Sequence, residues 1–150
     1  MAKPFHLQPL VDLAKERSQA AAQRLAKLKQ VWLEAENKHS QLQNYLAEYR
    51  ARLHQQTQAG LSALQWRDYQ AFIHKLEMAI QAQAQEIERC QHAWERGQTE
   101  WQAQEREVNA YQTLRKRHDE VERKVDAKQD QRLQDEFARN QYHRKNNPHE

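Results

Sequence analysis

What the sequence lacks settles much of its class. In 150 residues there are two glycines, Gly60 and Gly97, and three prolines, Pro4, Pro9 and Pro148, all three prolines near an end. Nothing between about residues 10 and 147 therefore breaks a helix by removing a backbone donor. Gly60 is the residue best able to take the positive φ of a fold-back turn. The single cysteine, Cys90, excludes an intrachain disulfide and a Cys-pair zinc site. Apolar residues are only 38% of the chain and mean hydropathy is −1.23, which argues against a globular core. No apolar run approaches the ~20 residues of a membrane-spanning helix. The opening Met-Ala-Lys-Pro-Phe-His-Leu also lacks the apolar stretch of a secretory signal, so a cytoplasmic location is expected.

Charge of one predominant sign is missing too. Charged residues make up 30% of the chain, yet they leave a formal net charge of only +3, with acids and bases alternating along most of it. That pattern solubilises long helices without marking a nucleic-acid surface. Residues 115–118 (Arg-Lys-Arg-His) are a compact basic cluster, but Asp119, Glu120 and Glu122 cancel much of its field, so no nucleic-acid partner is expected. There is no Gly-rich phosphate loop, and no nucleophile with an assignable base and oxyanion hole. Eight histidines stand at 6, 39, 54, 74, 92, 118, 143 and 149, and no two are three or four apart, as one helical face would need to hold a metal. The expectation is a protein that binds partners, with no catalysis, metal, cofactor or small-molecule ligand.

What is present is a heptad seam. Steps of four and three from Leu7 visit Val11, Ala14, Ser18, Ala21, Leu25, Leu28, Trp32, Ala35, His39, Leu42, Leu46, Tyr49 and Leu53, with Ser18 and His39 the only polar members. A second run visits Trp66, Tyr69, Ile73, Leu76, Ile80, Gln83, Ile87, Cys90, Trp94, Gly97, Trp101, Gln104, Val108 and Tyr111. Between them residues 56–61 lose the pattern, and Ser62-Ala63-Leu64-Gln65 has the spacing of a capping box. The fold class is therefore all-α: two long helices in an antiparallel coiled-coil hairpin, the second longer than the first. The expected organisation is one coiled-coil domain, with helix one at about 9–57, the turn at 58–62, helix two at 63–141 and a frayed tail at 142–150.

Folding at about residue 61 sets the polar layers against each other, Ser18 opposite Gln104 and His39 opposite Gln83. It also sets small residues against large ones: Ala21 by Trp101, Leu25 by Gly97, Trp32 by Cys90 and Ala35 by Ile87. Sliding by a heptad loses the polar pairing, so this register is preferred. Past Tyr111, which faces Val11, two successive steps of three to Leu114 make a stammer before His118, Val121 and Val125 resume. Helix two then runs on for roughly 25 to 30 residues, or about 40 Å at 1.5 Å per residue, without a partner in its own chain.

Two apolar surfaces lie outside the seam. Tyr45 and Phe72 flank it, should be exposed in a two-helix structure, and with Leu42, Tyr49, Leu76 and Ala79 form a stripe near the turn that suits a protein partner. The competing reading is that these rings only widen the core. Farther on, Leu133, Phe137 and Tyr142 recur at rough helical spacing, with Leu133 and Phe137 as apolar anchors of a protein-docking segment.

Three segments resemble the FliJ family of the flagellar type III export apparatus. They are Tyr45-Leu46-Ala47-Glu48-Tyr49-Arg50, the stretch Tyr-Gln-x-Phe-Ile-x-x-Leu-Glu-x-Ala-Ile at 69–80 with Trp66-Arg67-Asp68 before it, and Asp135-Glu136-Phe137-Ala138-Arg139. The 69–80 string is the most specific, because it includes residues off the seam. The resemblance implies a stalk in the central hole of a hexameric flagellar export ATPase, similar to the coiled-coil part of a rotary ATPase γ subunit. It also implies contacts with the cytoplasmic domain of the export-gate membrane protein and with export chaperones, at the cytoplasmic face of the inner membrane at the flagellar base. Leu42, Tyr45, Tyr49, Phe72, Leu76 and Ala79 would meet the gate, and Val121, Val125, Leu133 and Phe137 the ATPase. Lys38 and Gln83 border the stripe without a decisive match, and residues 115–118 receive no role. The alternatives are a coiled coil that self-assembles through its free terminal segment, and the equivalent stalk of an injectisome.

Overall fold

The computed structural model of the chain describes residues 3–147. Two α-helices, α1 (Gln8–Ala59) and α2 (Ala63–Asn146), pack against each other, and no strand occurs among the described residues. At 84 residues α2 is longer than α1 at 52. Both are dominated by strong helix formers, Ala, Gln, Glu, Lys and Arg. Pro9 is tolerated in the first turn of α1, where a backbone N–H would have no intrahelical partner. Between the helices Gly60 takes a φ of +101°, a conformation that a side chain would strain. The Gln65 N–H donates to Ser62 Oγ at 3.2 Å and the Ser62 N–H to Gln65 Oε1 at 3.3 Å, both halves of a capping box. At the far end His143, Arg144 and Lys145 lie in the last turn of α2, where cations favour the helix dipole. The tail expected to fray from residue 142 is helical as far as Asn146, and residues 148–150, with Pro148 and His149, lie outside the described residues.

The chain divides into two packed units. In the unit Gln19–Ala103, every seam residue named above is buried or half-buried except Trp66, which stands 48% exposed beside the turn. Leu46, Ile73 and Leu76 form its buried cluster, flanked by Tyr49, Leu53, Phe72 and Ile80. Gly97 sits against Leu25 as the register requires: a Cβ there would stand 3.6 Å from Leu25 Cδ1 and 2.7 Å from Leu28 Cδ1. Trp32 pairs with the ring of Trp94, centroids 5.5 Å apart, with Lys29 Nζ 4.2 Å above the Trp32 ring. Arg24–Glu100 and Arg50–Glu77 bridge the two helices at 2.7 Å. Being largely solvated, these pairs mark the register more than they stabilise it. The polar layer differs in detail from the simple pairing. Gln83 is buried, but its Nε2 donates to the Ala35 carbonyl at 2.9 Å, with His39 only half-buried.

The second unit combines Met1–Ser18 with Gln104–Glu150, described from residue 3 to residue 147. Val11, Ala14, Ser18 and Val108 are its buried residues. Ser18 Oγ donates to a carboxylate oxygen of Glu105, the neighbour of the expected Gln104, whose Oε1 is buried without a partner. Residues 3–5, which precede α1 without being helical, continue along α2. His118 Nε2 donates to the Lys3 carbonyl at 2.8 Å, the Phe5 ring lies 5.4 Å from the His118 ring, and the Lys3 N–H donates to Glu122 Oε2 at 3.2 Å. The uncovered stretch of α2 therefore starts later than the seam alone suggests. It begins near Arg123, beyond which all described side chains are exposed except the half-buried Asp126.

Candidate protein-binding surfaces

Around the turn-proximal stripe the helices bring four rings together. Tyr49 and Phe72 face each other across the hairpin with centroids 4.5 Å apart, Tyr69 lies 5.3 Å from Tyr49, and Tyr45 lies 6.0 Å from Tyr49 and 6.1 Å from Phe72. The spacings suit tilted and edge-to-face contacts, each worth ~0.5–1.5 kcal/mol beyond burial. The rings are not equally available. Tyr45 is 42% exposed, whereas Phe72, expected to be exposed, is half-buried against the Leu46, Ile73 and Leu76 cluster. The ring lies over the core edge and against Tyr49, which covers part of it. Leu76 is itself a core residue at 7% exposure. The stripe is thus a cluster whose outer face is Tyr45 and the rims of Tyr49 and Phe72.

Leu42 and Ala79 belong to a feature that the heptads do not reveal. They close one end of an open groove of about 640 Å³ between the helices, continued by Val31, Glu34, Ala35, Lys38, Ala82, Gln83, Glu86 and Cys90. Its α2 wall is cut low because Ala79, Ala82 and Cys90 are small. The Arg89 guanidinium, hydrogen-bonded to Glu86, holds that carboxyl below its ordinary range. Burial, reinforced by the Glu86 charge, pushes the Cys90 thiol up. A neutral thiol on the floor of the groove is an apolar contact, not a reactive nucleophile. The signal in the sequence was a run of small residues along one face of α2, which seam counting passes over.

On the terminal stretch of α2, Val121 is 57%, Val125 42%, Leu133 63% and Phe137 65% exposed, and Tyr142 is 65% exposed beyond them. The basic cluster at 115–118 is divided in its duties: His118 holds the segment before α1, while Arg115, Lys116 and Arg117 are exposed. Among the described residues no group of His, Cys, Asp or Glu is arranged to hold a metal ion. Nor, among the described residues, is any helix long and apolar enough to cross a membrane.

The fold and these surfaces define a helical-hairpin protein with large apolar side chains exposed on it. Over residues 3–147 the chain matches the family described as "Flagellar FliJ protein". It is 30% identical over 138 residues to the Flagellar FliJ protein of Escherichia coli (strain K12), covering 92% of this chain and 94% of that one. It is 29% identical over the same coverage to the Flagellar FliJ protein of Salmonella typhi. The chain belongs to the FliJ family. Its fold is also similar to the structure of a proposed YscO homolog from Chlamydia trachomatis, with a TM-score of 0.59 at 17% identity, covering 95% of this chain and 98% of the other.

Proposed function

We propose that this protein is a non-enzymatic component of the flagellar type III protein export apparatus, linking the hexameric export ATPase to the export gate and to export chaperones. It works in the cytoplasm, peripherally associated with the inner membrane at the flagellar base. Family membership supports the assignment to export. The observation that carries the linking role is the exposure of Leu133 at 63% and Phe137 at 65% on a stretch of α2 left uncovered among the described residues. Large apolar side chains so displayed are costly to leave in water and suit a partner that buries them.

In this reading Val121, Val125, Leu133 and Phe137 dock on the ATPase. Leu42, Tyr45, Tyr49, Phe72, Leu76 and Ala79 form the gate-facing cluster, with Tyr45 as its most accessible ring and Leu76 acting from beneath.

A pull-down with the export ATPase tests it. Removing residues 123–150 leaves His118 and Glu122 in place to hold the segment before α1. The truncated chain is expected to remain helical by circular dichroism and to lose the ATPase. Retention of the ATPase by that chain would refute the docking assignment. Sedimentation equilibrium of the full chain separates the alternative of self-assembly through the same residues, which requires a dimer at high concentration.

A further inference from the structure

The turn itself has a chemistry that the seam, the stripe and the terminal stretch leave unused. In a chain that is 30% charged, no Asp, Glu, Lys, Arg or His occurs between His54 and Arg67. The segment contains Leu64, at 70% the most exposed of the large apolar side chains, and Trp66 at 48%, although the periodicity places Trp66 in the seam. Cα–Cβ bonds in a helix tilt toward its N-terminus, so both side chains, sitting in the first turns of α2, lean toward the turn and away from the core.

Behind this uncharged end stand two arginines, Arg52 on α1 and Arg67 on α2, against a single carboxylate, Asp68, next to Arg67. Counting helical rise from Ala59 back to Arg52 and from Ala63 on to Arg67, they lie on the order of 6–10 Å behind the turn. Neither is in an ion pair among the described residues, whereas Arg50 is held by Glu77. The capping box satisfies backbone donors at the start of α2 within the chain itself.

We infer that the turn is a shallow anchor for an anionic lipid surface, Leu64 and Trp66 entering the headgroup–acyl boundary and Arg52 and Arg67 meeting lipid phosphates. This rests on the peripheral membrane association proposed above and names its contact. The depth of the uncharged end matches the ~5–10 Å by which interfacial segments enter a bilayer. Indole is a side chain favoured at that boundary, where one end is apolar and the other wet. An apolar protein pocket fits less well, because it would leave the two unpaired arginines behind the apolar end without a partner, whereas lipid phosphates engage both. The apolar area is small, so the contact is weak and reversible alone, and it orients a molecule that other partners already hold nearby.

Flotation of the full chain with vesicles at low salt is the test. Wild-type protein is expected to float with phosphatidylcholine vesicles containing phosphatidylglycerol and much less with phosphatidylcholine alone. The Leu64→Gln/Trp66→Gln variant should bind at least about tenfold more weakly. Arg52→Gln and Arg67→Gln should each reduce binding about fivefold, as expected for one cation near an anionic surface. All these side chains are solvent-exposed, so circular dichroism should show unchanged helicity.

Wild-type protein that stays off anionic vesicles overturns the inference. So does undiminished binding by the Leu64/Trp66 variant, which would move lipid contact to the basic residues at 143–145. Loss of gate-domain capture by that variant in lipid-free solution also overturns it, in favour of a protein pocket. The ATPase pull-down by the same variant is expected to be unchanged, so a failed flotation with an intact pull-down sinks the lipid contact and leaves the proposed function standing.

Discussion

Gln83 on α2 donates its side-chain amide to the backbone carbonyl of Ala35 on α1 at 2.9 Å, in a layer where Gln83 is 8% exposed. The carbonyl has two lone pairs and already belongs to the α1 ladder, so the amide adds a second bond and leaves no orphan if removed. Gln83→Ala is therefore expected to cost only about 1 kcal/mol. Gln83→Glu places an acceptor-only carboxylate against a carbonyl and should cost more, roughly 2–3 kcal/mol at pH 7. Protonation would restore a donor, so the Glu variant should regain stability as pH falls toward 4. Urea unfolding followed by circular dichroism at both pH values checks the order. Equal losses for both variants would show that the hydrogen bond does not hold this layer.

The two glycines should respond differently to the same substitution, for different reasons. Gly60 has open space around its absent Cβ but a φ of +101°, so Gly60→Ala is expected to destabilise by about 1 kcal/mol or more through backbone strain alone. Gly97 has ordinary helical geometry, and its Cβ would meet Leu28 Cδ1 at 2.7 Å. That atom is the end of a flexible side chain. Gly97→Ala sets a helix-propensity gain of about 1 kcal/mol against a small repacking cost, for a net change near zero. Gly97→Leu cannot be accommodated so and should cost ~1–3 kcal/mol. Thermal melts of the three variants decide the matter.

Much of this was legible in the sequence because two-helix packing depends on a single repeat. Every seam position from Val11 to Leu53 and from Tyr69 to Tyr111 is buried wholly or in part, and Gly97 marks the register by its size. Three things were not legible. Which polar atom a buried Gln or Ser bonds depends on side-chain reach, and it moved the partners of Ser18 and Gln83 from the facing residue to Glu105 and Ala35. The half-burial of Phe72 depends on how its ring settles on Tyr49 and the core edge, which heptads do not specify. The docking of residues 3–5 on His118 has no periodicity at all, since a non-helical segment carries no repeat. Phe5 and Leu7, apolar residues beside Pro4 and Pro9, were its only trace.

The aromatic cluster invites a cleaner dissection than removing all its rings at once. Tyr45 is 42% exposed and touches Tyr49 and Phe72 only at about 6 Å. Tyr45→Ala gives up two ring contacts but little buried area and should cost roughly 1 kcal/mol, too little to unfold the hairpin, so loss of gate binding reports the contact. Phe72→Ala removes a ring packed on the Leu46, Ile73 and Leu76 core and should cost ~1–3 kcal/mol of stability as well. Isothermal titration with the gate cytoplasmic domain, beside urea melts of each variant, separates the two effects. If Tyr45→Ala binds as tightly as wild type, the rings serve the core alone.

The docked segment before α1 yields the last prediction. His118 contributes both an N–H to the Lys3 carbonyl and a ring face to Phe5, while Glu122 accepts the Lys3 N–H. His118→Ala removes the first two contacts together and leaves Glu122 holding one amide on an otherwise free segment. About 1 kcal/mol of local holding energy corresponds to roughly fivefold in the opening equilibrium. Amides near residues 3–10 should therefore exchange about fivefold faster by hydrogen-exchange mass spectrometry, while those around Leu46 and Ile73, in the other packed unit, keep their protection. Phe5→Ala should give a smaller change in the same peptides. Unaltered exchange in the His118 variant would mean that Val11 and Ala14, buried at the start of α1, hold the segment without help from His118.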